Sequence, residues 1–245
     1  MSVHSGPKIP IDKLKFIVDT GNLKSYPGSG TIWTDLSSNK IVLNSQGTTT
    51  PLTTANGATC FQFNDSGYWS SNTTDGQKTD LRFGATLIFW FRPTNTYIDR
   101  DTIFEKTGTV TNSYRQELAV TIETSMQFTY YRNQNTSIIS GTDYDSASSG
   151  VVFGNLGIWV HTAITLGAMP GGVGKVYKNG VLVSSDYNLR TSSNTAVQAG
   201  AINIGSGYSG QCESGNFSLF KIYEKVLTDN EILQDFNSTK SRFGI

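Results

Sequence analysis

The segment Phe217 to Phe236, FSLFKIYEKVLTDNEILQDF, restricts the fold of this chain more than any other stretch. Its apolar start is typical of a strand, and a helix start follows after a turn. Thr228 is a favoured helix N-cap residue, and Glu231 three positions later completes a capping box. Leu227 and Ile232 are placed to form a hydrophobic staple. The apolar residues that share one helical face are Ile232, Leu233 and Phe236. We expect a helix of about two turns that packs on a β-sheet, since so short a helix is unstable alone.

Composition favours an all-β protein and argues against several partners. Charged residues make up 16% of the 245 residues, and Ser, Thr, Asn and Gly supply most polar positions. Nineteen Lys and Arg balance nineteen Asp and Glu, so no net charge attracts nucleic acid or an anionic membrane. No apolar run of about twenty residues is present, and we expect no membrane insertion.

The domain organisation predicted from the sequence is an extended N-terminal arm over residues 1–12 and a single domain over residues 13–245. Gly6, Pro7 and Pro10 favour the arm, which either hangs free or ties the subunit to a neighbour. The arm lacks the apolar region of a secretory signal. Cys60 and Cys212 form no disulfide framework, and we expect two buried free thiols.

Alternating apolar residues separated by turn formers predict many antiparallel strands. In the first strand, Leu14, Phe16 and Val18 are expected to share one face. TLIFWF, residues 86–91, is apolar on both faces, which predicts a central strand covered on both sides. In the strand over residues 159–166, one face carries Val160, Ile164 and Leu166, and the other carries Trp159, His161 and Ala163.

Two β-hairpins are predicted. In KVYKNGVLVSS, residues 175–185, Asn179 and Gly180 suit a type I′ turn. The cross-strand pairs expected there are Lys178 with Val181, Tyr177 with Leu182, and Val176 with Val183. The second hairpin joins two alternating runs, residues 118–122 and 126–130, around a short connector.

Four motifs in order resemble the laminin-G-like branch of the concanavalin A-like lectin and glucanase superfamily. They are WVH at residues 159–161, KVYKNGVLV at 175–183, AINIG at 201–205 and FSLFKIYEKVLTDNEI at 217–232. The resemblance implies an all-β, two-sheet antiparallel jelly-roll sandwich with one short C-terminal helix against it.

The two ends of the chain are also similar to laminin-G-like proteins in the virions of tailed bacteriophages, especially those of cyanobacteria. The similar stretches are KFIVDTGNLKSYPGSGTIWTDLS, residues 15–37, and FNSTKSRFGI, residues 236–245. This similarity implies a virion structural or surface protein, such as a capsid decoration, neck, tail or fibre component, assembled in the bacterial cytoplasm. Its partners would be other virion proteins and copies of itself. The alternative is an extracellular or cell-surface adhesion module that binds host polysaccharide.

Catalytic residues are not expected. Glucanases of this superfamily carry carboxylates at alternate positions of one strand, E-x-D-x-E, and this sequence has no such triplet. Glu117 and Glu123 are six residues apart and are interpreted as solvated strand ends. His4 lies in the arm, and His161 is interpreted as a packed strand residue whose nitrogens bond neighbours. We therefore expect no enzymatic activity and no organic cofactor.

Candidate binding residues lie in loops and beside turns. Many laminin-G-like domains bind calcium through loop aspartates, and the candidates here are Asp143, Asp145, Asp99 and Asp101. Solvated turn residues are the alternative interpretation. Relatives often carry an Asp just before the last strand, where this sequence has Ser218, which weakens the calcium hypothesis.

Glycan binding requires exposed aromatic faces. The candidates for that role are Tyr68, Trp69, Tyr144 and Tyr208.

Overall fold

The fold is seen in a computed structural model. The structure describes residues 8–54, 56–63, 67–94, 101–107, 116–122, 127–133, 144–151, 156–168, 172–188, 200–207, 210–211 and 215–245. The strands are β1 (Leu14–Asp19), β2 (Ile32–Thr34), β3 (Val42–Gly47), β4 (Thr50–Thr53), β5 (Thr59–Phe63), β6 (Gly67–Ser70), β7 (Ala85–Pro93), β8 (Asp101–Thr107), β9 (Gln116–Ile122), β10 (Gln127–Asn133), β11 (Tyr144–Val151), β12 (Val160–Leu166), β13 (Val173–Lys178), β14 (Val181–Asn188), β15 (Ile202–Ile204), β16 (Ser206–Gly207), β17 (Gly210–Gln211) and β18 (Gly215–Tyr223). Helix α1 spans Asp229–Thr239, and 3₁₀ turns span Asp75–Lys78 and Lys240–Phe243.

Two antiparallel sheets form a sandwich. Sheet A has the order β14-β13-β12-β7-β18-β5-β4, with β1 also paired to β18. Sheet B has the order β11-β10-β9-β8-β15-β6-β3-β2. The first part of β18 pairs with β5 and the rest pairs with β1, so the first and last strands of the chain are neighbours. The two-sheet fold predicted from the sequence is confirmed.

The strand TLIFWF is the buried centre of sheet A, as the sequence predicts. Leu87, Phe89 and Phe91 belong to the main core between the two sheets. Ile88 and Trp90 belong to separate clusters on the outer face of sheet A and are also fully buried. Both faces of sheet A are therefore apolar near its centre. Strand β12 alternates as predicted, with Val160, Ile164 and Leu166 in the main core.

The C-terminal segment covers the outer face of sheet A. Thr228 and Glu231 form the predicted capping box at the start of α1. Leu227 and Ile232 share one buried apolar cluster, in agreement with the predicted staple. Phe243, in the 3₁₀ turn after α1, stacks on the ring of Trp90 with 4.0 Å between centroids. The helix is thus a packing element of the sandwich.

Two expectations about this helix are corrected. Helix α1 has 11 residues, about three turns. Ile232 and Phe236 are buried, but Leu233 keeps 42% of its surface exposed and lies beside the turn at Gly180. Consecutive helical residues point about 100° apart, so Leu233 falls at the edge of the buried helix face that contains Ile232.

The face predicted for the first strand is also corrected. Phe16 and Val18 lie in the main core, but Leu14 packs against the clusters on the outer face of sheet A. The register with β18 shifts between Leu14 and Phe16. A β-bulge there moves Leu14 to the other side of the sheet.

The predicted NG hairpin forms with one change. Asn179 and Gly180 have positive φ angles of 51° and 80°. Lys178 pairs with Val181 and Tyr177 with Leu182, as expected. The predicted pair of Val176 with Val183 is wrong, because the register shifts between Val176 and Tyr177 and Val176 pairs with Ser184. The second hairpin is confirmed, since β9 and β10 pair antiparallel with Phe128 opposite Ile122.

Residues 8–12 of the predicted arm lie against the domain. Tyr223 Oη donates a 3.0 Å hydrogen bond to the carbonyl of Pro10, and Gln234 of α1 donates to the carbonyl of Lys8. Lys225 Nζ lies 3.0 Å from Oδ2 of Asp12. Residues 1–7 lie outside the described residues. Among the helices that the structure describes, none is long and apolar enough to cross a membrane.

Candidate functional site

A buried polar cluster lies between α1 and sheet A. Asp235 of α1 accepts a 2.6 Å hydrogen bond from Nζ of Lys221 on β18. Its Oδ1 atom is 3.1 Å from Nε2 of His161 on β12. Tyr223 Oη shares its one proton between the carbonyl of Pro10 at 3.0 Å and the Oδ2 atom of Asp235 at 3.4 Å. An ionised carboxylate only accepts hydrogen bonds, so we assign the proton of His161 to Nε2. Nδ1 of His161 has no partner among the described residues.

Burial and the charge of Lys221 decide the ionisation of this cluster. Burial lowers the pKa of His161, although the hydrogen bond to Asp235 opposes that shift. Burial opposes ionisation of Asp235, yet Lys221 and His161 outweigh it and hold the pKa of Asp235 below its usual value. The pKa of Tyr223 is raised by burial and by the Asp235 charge. We infer a carboxylate and an ammonium beside a neutral imidazole.

The cluster is sealed from solvent. The side chains of His161 and Asp235 have no exposed surface, and that of Lys221 has 1%. The described residues place no nucleophilic Ser or Cys on the imidazole of His161. The interpretation of His161 as a packed strand residue is confirmed, although only one of its two nitrogens bonds a side chain there. The cluster fastens α1 to the sheet.

Ser218 lies within β18, not before it, and links β5 to the C-terminal 3₁₀ turn. It occupies a bulge between Phe217 and Leu219. Its Oγ accepts a 2.6 Å hydrogen bond from Nη2 of Arg242 and donates to the carbonyl of Thr59 at 2.7 Å. A guanidinium this close disfavours a second cation, which argues against calcium at Ser218.

Trp69 is corrected as a glycan-binding candidate. It is fully buried in the main core, with ring centroids 4.6 Å from Phe61 and 5.7 Å from Trp33. Successive residues of β6 point to opposite faces, so Trp69 turns inward and Tyr68 turns outward. Tyr68 is half-buried and keeps some exposed surface. The ring of Trp69 offers no face to a sugar.

The other candidates are not brought together in the described part of the chain. Tyr208, Asp143 and Asp99 lie outside the described residues. Tyr144 and Asp145 begin β11 and Asp101 begins β8, so their backbones belong to strand ends instead of loops. The positions of their side chains lie outside the part of the chain that the structure describes. Within the described part of the chain, no group of three or more His, Cys, Asp and Glu could hold a metal ion.

Comparison with known families agrees with this architecture. Residues 64–233 match the family model Laminin_G_3, described as Concanavalin A-like lectin/glucanases superfamily. The chain belongs to the concanavalin A-like lectin/glucanases superfamily. A comparison with curated proteins gives no match.

Solved structures with a similar fold include two kinds of protein. Trypanosoma rangeli sialidase is 13% identical with a TM-score of 0.67, and the match covers 96% of this chain and 34% of the sialidase. The binding domain of botulinum neurotoxin DC, in complex with SialylT, is 15% identical with a TM-score of 0.62, and the match covers 93% of this chain and 52% of that one. This chain therefore spans a third to a half of these structures, and the likeness concerns the fold.

One exposed aromatic residue of this superfamily member was not among the sequence candidates. Phe83, in the turn before β7, is 73% exposed. The guanidinium of Arg82 lies 5.1 Å from the centre of its ring. Arg82 is held in turn by Asp80, through hydrogen bonds of 2.9 and 2.8 Å, and these lower the pKa of Asp80. An apolar residue between Arg82 and Gly84, just before a strand, is the local signal that could have indicated it.

Cys60 is a buried free thiol, as predicted. Burial raises its pKa to about 12, although the charges of Arg92 and Arg242 oppose the shift. The thiol is therefore protonated and unreactive at neutral pH. Cys212 lies outside the described residues, so the prediction for the second thiol stays a prediction.

Proposed function

We propose that this protein is a non-enzymatic recognition module whose lectin-like sandwich binds surface carbohydrate. The observation that carries the proposal is membership of the concanavalin A-like lectin/glucanases superfamily over residues 64–233. Because α1 covers the centre of the outer face of sheet A, the remaining places for a ligand are the loops, the strand ends, the outer face of sheet B and the end of the outer face of sheet A beyond the C-terminal segment.

Similar structures support carbohydrate as the ligand class. Two of them involve a sugar or glycolipid: Trypanosoma rangeli sialidase in complex with sialic acid, and botulinum neurotoxin type C, whose cell entry depends on two ganglioside molecules. Phe83 supplies an exposed aromatic ring, which is the kind of surface on which a sugar stacks.

The absence of catalysis is part of the proposal. The one Asp–His pair that the described residues form, Asp235 with His161, is sealed beneath α1. Most glycoside hydrolases use two accessible carboxyl groups on either side of the scissile bond, whereas sialidases use a tyrosine nucleophile. Release of reducing sugar from a bound glycan, lost on replacing Glu117 or Glu123, would contradict this part.

Carbohydrate binding is tested with the purified full-length chain on an array of bacterial surface polysaccharides and sialylated and neutral oligosaccharides. We expect saturable binding to at least one class. Repeating the measurement with a chelator tests whether calcium assists. Uniform lack of saturable binding would overturn the proposal.

A second proposal places the module on the virion of a tailed bacteriophage, in contact with other virion proteins and copies of itself. It rests on the similarity of residues 15–37 and 236–245 to phage virion proteins. These two stretches pack together, because Arg242 makes an ion pair with Asp19, and Ile17 and Phe243 share one buried cluster. Mass spectrometry and a reconstruction of purified particles test it, and absence of the chain from the particles would contradict it.

A further inference from the structure

A row of polar side chains crosses the outer face of sheet A beyond the end of the C-terminal segment. Arg92 of β7 lies opposite Asn216 of β18, which in turn lies opposite Gln62 of β5. On the other side, Val160 pairs with Phe91, so the same register places Trp159 beside Arg92. Trp159 also packs on Phe243, with 4.9 Å between ring centroids. The row therefore begins where the C-terminal segment stops covering the sheet.

Arg92 is held rigidly but lacks a negative partner. Its Nε donates to the carbonyl of Gly157 at 2.7 Å, and its Nη1 donates to Oδ1 of Asn216 at 2.8 Å. Both acceptors are neutral. Among the described residues Arg92 has no carboxylate within ion-pair distance, whereas Arg82 and Arg242 pair with Asp80 and Asp19. A guanidinium has N–H groups beyond these two, and no acceptor for them lies among the residues that the structure describes.

Two further hydrogen-bond donors in the row lack acceptors. Nδ2 of Asn216 and Nε1 of Trp159 are buried and have no partner in the described part of the chain. The bond from Arg92 identifies Oδ1 as the accepting end of the Asn216 amide, so the unpaired atom is the NH₂ group. Buried donors without partners are rare and unfavourable. An acceptor would complete this row, and the charge of Arg92 favours an anion.

We propose that Arg92, Asn216 and Trp159 form a subsite for the carboxylate of an acidic sugar. The carboxylate binds the free N–H groups of Arg92, and a small displacement of the side chains lets its oxygens reach the two unpaired donors. Leu156 and Ile158 flank Gly157 and are half exposed, so they offer apolar surface to the sugar ring. The choice of a sugar as the ligand rests on the proposed function; the preference for an anion rests on this row alone.

The first test observes the two unpaired donors directly. In the ¹⁵N-labelled full-length protein, the indole N–H of Trp159 and the side-chain NH₂ of Asn216 are followed by NMR during titration with glucuronate and, in parallel, glucose. We expect both resonances to shift and saturate with glucuronate and to stay unchanged with glucose. Unchanged resonances with glucuronate would overturn the subsite.

The second test uses variants and a matched pair of ligands, sialyllactose and lactose. Arg92→Gln should weaken sialyllactose binding about tenfold or more without changing lactose binding, because it removes a charge-assisted pair. Asn216→Asp should have the same effect, because its carboxylate neutralises Arg92 from within the row. Lys24→Gln, which removes one positive charge from an exposed loop, is the control and should bind like the wild type.

The outcomes separate this inference from the proposed function. Saturable binding of glycans that does not depend on Arg92 leaves the proposed function intact and overturns the subsite. A response to glucuronate without binding of any glycan on the array supports the anion site and contradicts the proposed function. If Arg92→Gln does not fold, Arg92→Lys, which keeps the charge but lacks the planar fork, should still bind sialyllactose more weakly than the wild type.

Discussion

Asp235 in α1 and Lys221 in β18 form a fully buried ion pair, with 2.6 Å between Oδ2 and Nζ. The pair joins the helix to β18, which lies beside the central strand of sheet A. Its charges balance, and His161 and Tyr223 hydrogen-bond the same carboxylate. Removing one member leaves an unpaired charge out of water, which is far less favourable than the intact pair.

Replacing Asp235 with Asn should lower the free energy of unfolding by about 3–5 kcal/mol, because Lys221 then stays buried without a counter-charge. Urea unfolding followed by circular dichroism measures the change. Asp12→Asn, which breaks the exposed ion pair with Lys225, is the control and should cost less than about 1 kcal/mol. Equal losses in the two variants would contradict the role of the buried pair.

Stability should decrease as the pH falls below the pKa of a free histidine. The pKa of His161 is lower in the folded protein than in the unfolded chain, where it is about 6.5. Protons therefore bind the unfolded chain more readily. The free energy of unfolding is highest above about pH 6.5, and it falls as the pH decreases toward the lowered pKa of His161 in the folded protein. The free energy of unfolding measured from pH 8 to pH 5 checks this.

His161→Asn should remove most of this pH dependence, and His4→Asn should retain it. His4 is the only other histidine in the sequence. Asp235 contributes at lower pH, because its folded pKa is depressed and its stabilisation is lost only as the pH falls through that value. A wild-type profile that is flat between pH 7 and pH 5 would contradict a buried neutral His161.

Gly180→Ala should destabilise the protein by about 2–3 kcal/mol, because both the left-handed backbone and crowding against α1 are unfavourable. Gly180 has a φ of 80°, and an added Cβ would lie 3.0 Å from Cδ1 of Leu233. Gly28→Ala is the matched control, since Gly28 has a φ of 95° but nothing within 4 Å of the added atom. It should cost only about 1 kcal/mol in thermal unfolding. Equal costs would show that the helix does not restrict the turn.

Phe83 precedes β7, and Arg92 lies near the other end of that strand. Phe83→Ala should therefore weaken binding about fivefold or more only for a glycan that stacks at the Phe83 turn, and should leave stability nearly unchanged. The ring is exposed, so its loss removes a stacking surface and little core packing. Leu23→Ala, at a similarly exposed apolar residue, is the control. Isothermal titration with the best glycan from the array measures the affinities. An unchanged affinity in Phe83→Ala would place the sugar elsewhere on the module.

Local patterns were enough to predict the faces of the central strands and the start of α1. The alternation in TLIFWF indicates which side chains are buried on each face of the strand. The pairing of Thr228 with Glu231 spans three residues, so its geometry follows from the helix itself. Trp69 shows the limit of such reasoning, because an aromatic residue beside a turn can be a core residue or an exposed ring, and only its strand partners decide.

Short-range patterns establish the strand-rich class, the capped C-terminal helix and the superfamily, because each depends on residues close together in the chain. Strand pairing establishes the bulge that turns Leu14 outward, the sealing of His161 by Asp235, and the row that joins Arg92 to Asn216, which are 124 positions apart. These features depend on which distant strands become neighbours, and periodicity within one strand carries no information about its partner.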